Sequence, residues 1–325
     1  MLKVIINVVG ALAGTAIAAA GGLYLYYFVI LPHDLPVPDL EIELTPERVA
    51  RGDYLANAVF GCIYCHSERD WSLFGAPPKP GTLGKGGEVF DERVGISGRL
   101  ISPNITPYHL GDWSDGEVYR AIVSGLHKEG YAFFPIMPYD VYLNLKTEDV
   151  YSIIAYLRTL KPIPSKHGGR RLSPIMQLIA NTRPLPADPW NVDPDDPVSR
   201  GEYIAVIAGC QYCHTPADER MQSYDGMDFG GGLGMWTNDE LVYSANISAD
   251  RETGIGDWTV DDFIARLKQS ESARIPVTET GYQTQHAWTE YAKLSAGDLA
   301  DIYAYIMAQP PVRNEVTVWV EAPGK

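Results

Sequence analysis

Between Val4 and Ile30 the chain carries no charged residue. A run of this length exceeds the roughly 20 apolar residues needed to cross a bilayer as a helix, so residues 1–31 are predicted to form a transmembrane anchor. Tyr24, Tyr26 and Tyr27 cluster at its far end, where amphipathic rings suit the membrane interface, and Lys3 marks the near end as cytoplasmic. The bulk of the chain is then expected outside the cytoplasm. Ala18, Ala19 and Ala20 are also small enough for a signal peptidase. The apolar run continues well past them, which favours a retained anchor, and either reading delivers the chain to the same compartment. Residues 32–45, with Pro32, Pro36 and Pro38, read as a stiff stalk.

Beyond the stalk the pattern changes to amphipathic helices, and it occurs twice. Arg51-Gly52-Asp53-Tyr54-Leu55 recurs as Arg200-Gly201-Glu202-Tyr203-Ile204. Asn104-Ile105-Thr106 and Gly111-Asp112-Trp113 recur, in the same order, as Asn246-Ile247-Ser248 and Gly256-Asp257-Trp258. Each copy closes on apolar positions three and four residues apart, Glu148 to Leu157 and Gly297 to Ile306. Helix starts are signalled by Ser114, Thr147, Thr259 and Ser295, each followed by acidic residues. Strand alternation is scarce, which predicts an all-α fold of two tandem domains, 46–163 and 197–312. A proline-rich linker, 164–196, holds an apolar stretch from Leu172 to Ile179 beside Arg170 and Arg171. That stretch is read as packing across the two domains, with a membrane-surface helix as the alternative. In the tail, 313–325, Val316 to Val320 alternates like one strand.

Charge then narrows the partners. With 26 basic against 41 acidic residues, net −15, nucleic acid is not an expected ligand. Only Lys3 among the charges precedes Asp34, so the remainder carries 25 basic and 41 acidic residues, a formal net of −16. Such a field favours a basic partner face, and simple solubility accounts for it equally well.

The four cysteines form Cys62-Ile-Tyr-Cys65-His66 and Cys210-Gln-Tyr-Cys213-His214. Thioether attachment of haem needs two cysteines one helical turn apart and an adjacent imidazole for the iron, and CysXXCysHis supplies all three. Two haem c groups are therefore expected, on Cys62 and Cys65 and on Cys210 and Cys213, with His66 and His214 as proximal ligands. Zinc or a redox dithiol is the competing reading of a CXXC pair. It leaves the tandem histidines and the repeated spacing without a purpose.

Met137, in Pro135-Ile136-Met137-Pro138-Tyr139, lies 71 residues after His66 and is the expected sixth ligand of the first haem. A buried methionine filling core space is the alternative. Placing Asp149 on Asp298 and Tyr156 on Tyr305 sets His286 opposite Met137 with no gap, which predicts bis-histidine ligation of the second haem. Met221, Met227 and Met235 are rivals for that position, as is an iron with no sixth protein ligand. A thioether favours Fe(II) and two imidazoles favour Fe(III), so the first haem is expected to have the higher potential.

On these motifs, both sixth-ligand loops, and Asn104, Asn246, Trp113 and Trp258, residues 46–312 resemble the membrane-associated multihaem cytochromes c. The resemblance is to the cytochrome subunits of bacterial alcohol and aldehyde dehydrogenases, which usually have three haem motifs where this chain has two. The resemblance implies class I cytochrome c domains and electron relay between a quinol-oxidising complex or dehydrogenase and a terminal oxidase or other acceptor. On this reading the chain is not an enzyme and has no catalytic residues. It is an electron-transfer subunit in the bacterial cytoplasmic membrane, with its haem domains in the periplasm and a redox complex as partner. The alternative is a haem enzyme, such as a thiosulfate dehydrogenase or a peroxidase-like protein, with chemistry at the second haem.

Overall fold

The computed structural model describes residues 2–31, 35–94, 96–218, 221–237, 240–271 and 274–319. Pro32 of the expected stalk and Val320 of the expected strand lie outside them. About 44% of the described residues are helical, and the chain forms two compact units.

One unit comprises Met1–Glu41, Trp113–Asn144 and Leu172–Asp188. Its first helix, Leu2–Leu25, continues through a π-helical turn at Tyr26–Ile30. The stretch Lys3–Ile30 has a mean hydropathy of 2.0, long and apolar enough to cross a membrane. It is exposed from Lys3 to Tyr26 and becomes partly covered at Tyr27 and Phe28. Helix Pro174–Asn181 packs there, with Asn181 Nδ2 donating to the Tyr27 carbonyl at 3.0 Å. The apolar linker stretch is thus mostly this helix. Its Ala180 is buried with Leu126 and Ala132, while Ile175 is 63% exposed. Ser114 starts helix Asp115–Ser124 through a capping box with Glu117, as its position before Asp115 predicts.

The other unit comprises Ile42–Asp112, Leu145–Arg171 and Pro189–Lys325, and it holds both CysXXCysHis motifs. Two helix pairs organise it: Pro46–Tyr54 on Thr147–Thr159, and Pro197–Ile207 on Ala296–Ala308. Thr45 and Asp196 cap the leading helices, each followed by proline at the first helical position. The closing helices bury Val150, Ile153, Ile154, Leu299, Ile302 and Ile306. A side chain of this size contributes about 1.5–3 kcal/mol when fully buried.

The repeated glycine sets the helix spacing. A Cβ on Gly52 would lie 1.8 Å from the Ser152 carbonyl oxygen, and one on Gly201 would lie 1.9 Å from that of Asp301. Only hydrogen fits between these backbones. Arg51 then clasps Asp149 at 2.9 and 3.1 Å, and Arg200 clasps Asp301 at 2.7 and 2.8 Å.

Thr259 and Ser295 cap their helices as expected, but Thr147 is itself the first helical residue. Lys146 holds the cap position, the slot of Ser295, and its N–H is satisfied by the Tyr203 hydroxyl at 3.1 Å. The unit also contains strands, which qualifies the all-α expectation. Val89–Phe90 pairs antiparallel with Gly98–Ile101, and Gly234–Thr237 with Glu240–Tyr243. At two to four residues each, these strands are too short to show alternation. The tail joins the second hairpin: Tyr243 N–H donates to the Val318 carbonyl at 2.8 Å, and Trp319 stacks on Tyr282.

Candidate functional site

Each cysteine pair sits on a single helical turn, Cys62–Cys65 and Cys210–His214, entered through a left-handed glycine, Gly61 or Gly209. One turn brings both sulfurs to one face. No disulfide joins any of the four. Burial pushes the thiols of Cys62 and Cys210 up to about 12 and that of Cys213 to about 11, with Cys65 raised as well. Among the described residues, no three His, Cys, Asp or Glu side chains converge as a zinc site requires.

The two histidines are supported identically. His66 Nδ1 lies 2.8 Å from the Pro103 carbonyl and His214 Nδ1 lies 2.7 Å from the Ala245 carbonyl. A carbonyl only accepts, so Nδ1 carries the proton and Nε2 keeps its lone pair. This is the support that orients a metal-ligating imidazole. Burial lowers both histidine pKa values, which favours the neutral, ligand-competent form.

The carbonyls that do this work carry no side-chain signature, so the sequence did not single them out. Their positions follow from Asn104 and Asn246, the repeated landmarks one residue further on. Asn104 Oδ1 accepts from Thr106 N–H at 2.8 Å while Nδ2 donates to the Ile163 carbonyl at 2.8 Å. Asn246 Oδ1 accepts from Ser248 N–H at 2.9 Å and Nδ2 donates to the Val312 carbonyl at 2.8 Å. Each asparagine pins the loop that presents the carbonyl to its histidine.

His214 and His286 lie with ring centroids 6.2 Å apart, at 78° between planes. A metal with an imidazole nitrogen about 2 Å away on either side, plus roughly 1 Å from nitrogen to centroid in each ring, needs about 6 Å. The spacing of the two rings meets that requirement. His286 Nδ1 is buried and has no hydrogen-bond partner among the described residues. Burial, with the charges of His214 and Arg266, holds this imidazole down to about 3, so it stays neutral. Trp288 packs on it at 4.1 Å and Tyr291 at 5.1 Å, and the Arg266 guanidinium lies 4.1 Å over the Trp288 ring.

Of the rivals, Met221 is exposed, Met227 lines an open cleft with Pro216 and Tyr224, and Met235 lies in the hairpin strand Gly234–Thr237. Met137 belongs to the unit that carries the apolar helix. It is half-buried in a tight turn, with its N–H toward the Phe134 carbonyl and its own carbonyl accepting from Tyr139 N–H at 2.8 Å.

No protein-family model matches the chain. It is 26% identical over 279 residues to the fructose dehydrogenase cytochrome subunit of Gluconobacter japonicus, covering 81% of this chain and 52% of that protein. It is 30% identical over 239 residues to the gluconate 2-dehydrogenase cytochrome c subunit of Pantoea cypripedii, covering 66% and 49%. A dihaem cytochrome c-type protein of Cereibacter sphaeroides shares 31% identity over 131 residues, 40% of this chain and 42% of that one. The chain is a homologue of these cytochrome c proteins. It spans about half the length of the dehydrogenase subunits it matches. Haem c is the cofactor that such relatives imply, and the cysteine turns with their carbonyl-supported histidines suit it.

Proposed function

We propose that this protein is a dihaem c-type cytochrome, an electron-transfer subunit that serves a membrane dehydrogenase or quinol-oxidising complex and passes electrons to a terminal oxidase or other acceptor. Haem c, when bound, supplies one-electron Fe(III)/Fe(II) chemistry. Cys62 and Cys65 would hold the first group with His66 and Met137 as ligands, and Cys210 and Cys213 the second with His214 and His286. The protein's own contribution is to fix the ligands and to keep water away. The Pro103 and Ala245 carbonyls hold the proximal imidazoles in one tautomer, and Trp288 and Tyr291 wall the distal side of the second site. The apolar helix would anchor the chain in the cytoplasmic membrane with both haems in the periplasm, carried by tandem cytochrome c domains at 46–163 and 197–312.

The pair His214 and His286 carries this reading, because two neutral imidazoles at iron-spanning distance fit a six-coordinate electron carrier. The test is a haem count by pyridine haemochrome, together with carbon monoxide binding to the reduced protein before and after His286→Ala. Two haems per chain, carbon monoxide refused by the native protein and taken up at one haem by the variant is the expected result. A single haem, or uptake by the native protein, overturns the carrier reading, and the second outcome points to substrate chemistry at an open iron.

A further inference from the structure

Gln283 makes three of the hydrogen bonds that fasten the loop carrying His286 to the opposite repeat. Gln283 is 2% exposed. Its Oε1 accepts from Gly75 N–H and from Thr284 N–H, both at 2.8 Å, while Nε2 donates to the carbonyls of Leu73 at 2.8 Å and Trp71 at 3.2 Å. Both ends of the amide are thus used in a buried setting. Thr284, whose N–H Gln283 holds, accepts from His286 N–H through its hydroxyl at 3.1 Å. The distal histidine is therefore two hydrogen bonds from Gln283.

Backbone pairing extends the same seam. Phe74 N–H donates to the Ile275 carbonyl at 2.8 Å, and Val277 N–H donates to the Ser72 carbonyl at 3.0 Å. Gly75, at φ 75°, lies so close that a Cβ there would come within 3.1 Å of the His286 carbonyl oxygen. The Gly75 carbonyl in turn accepts from the hydroxyl of Tyr64, inside the first haem motif, at 2.8 Å. In the register that sets His286 on Met137, Gln283 falls on Phe134. The methionine loop has no side-chain amide at that place.

We propose that Gln283 is a positioning residue for His286, so that residues 71–75 of the first repeat build the distal side of the second haem site. The inference rests on His286 being a ligand of that haem. Without the amide, the buried N–H groups of Gly75 and Thr284 and the partly buried Trp71 carbonyl lose their partner, while the Leu73 carbonyl keeps only Ala76 N–H, and such losses disfavour the closed arrangement of the loop. His286 then leaves the iron for part of the time.

The test uses the full-length holoprotein with Gln283→Leu, Gln283→Glu and His286→Ala. The readouts are the electron paramagnetic resonance signal of bis-imidazole Fe(III) and carbon monoxide uptake after reduction. The methionine-to-iron charge-transfer band of the first haem reports whether that site is intact. Gln283→Leu should diminish the bis-imidazole signal and allow uptake at one haem per chain, approaching the level of His286→Ala, while the charge-transfer band persists. Gln283→Glu, which keeps the acceptor and loses the donors, should fall between Gln283→Leu and native. The proposal is overturned if Gln283→Leu refuses carbon monoxide while His286→Ala binds it, or if the band of the first haem is lost in parallel. Should His286→Ala itself leave the second haem unchanged, the ligand assignment fails and the positioning role with it.

Discussion

The Tyr203 hydroxyl donates to Asp149 Oδ2 at 2.8 Å, a bond that carries a side chain of the second repeat to the closing helix of the first. The reverse bond exists too: the Tyr54 hydroxyl donates to Asp298, the counterpart of Asp149. Each tyrosine also accepts from the N–H that precedes that helix, Lys146 at 3.1 Å and Ser295 at 3.0 Å. Burial, with the neighbouring carboxylate, raises both phenols, Tyr54 to about 12, so both remain donors at neutral pH.

Tyr203→Phe and Tyr54→Phe each remove a hydrogen bond to a charged acceptor, worth about 1.5–3 kcal/mol. Denaturant unfolding monitored by helical circular dichroism should show each variant destabilised by that amount. A loss below a few tenths of a kcal/mol for both would mean that the crossed bonds do not brace the repeats.

Gly52→Ala and Gly201→Ala insert a methyl where the Cβ sites lie under 2 Å from a carbonyl oxygen of the partner helix. The helices must part, and overpacking with backbone shifts costs roughly 3 kcal/mol or more. Thermal melts should fall steeply for either variant. Gly10→Ala, with nothing within 4 Å of its Cβ, should leave the melt unchanged.

Glu88 supplies a pH signature. Its carboxylate lies 3.8 Å from Arg69 and accepts from the Trp71 indole N–H at 3.1 Å, yet burial outweighs both and raises its pKa above the ordinary 4.5. A raised carboxyl binds its proton more tightly in the folded state. Its contribution is therefore complete below pH 4.5 and is lost as pH rises through the raised value. The melting temperature of Glu88→Gln relative to native should move in the variant's favour between about pH 4 and pH 7. A flat difference, or one of opposite slope, contradicts the burial argument.

Deleting residues 2–31 should move the haem protein from the detergent phase to the aqueous phase in cloud-point partitioning, with its absorption spectrum unchanged. Retention in the detergent phase would mean that something other than the apolar helix holds the protein to lipid.

Local chemistry and repetition made much of this protein legible from its residues. An unbroken apolar run specifies a membrane-length helix whatever surrounds it, and CysXXCysHis needs only one helical turn to present its three groups. Gap-free register of the closing helices singled out His286, whose ring the structure places 6.2 Å from that of His214, because helix period and loop length are properties of the chain itself. The Arg-Gly-acid-Tyr repeat was visible as a pattern, but its two roles, close helix crossing at glycine and exchange of tyrosines between repeats, were not. Those depend on which groups meet, at separations from 54 to 244 residues, and no local spacing encodes that. The Pro103 and Ala245 carbonyls were hidden for a related reason: every residue has a carbonyl, and only the folded loop decides which one meets an imidazole. The same holds for Gln283, an ordinary polar residue in a loop until burial against Trp71, Leu73 and Gly75 commits its amide to partners more than 200 residues away in the chain.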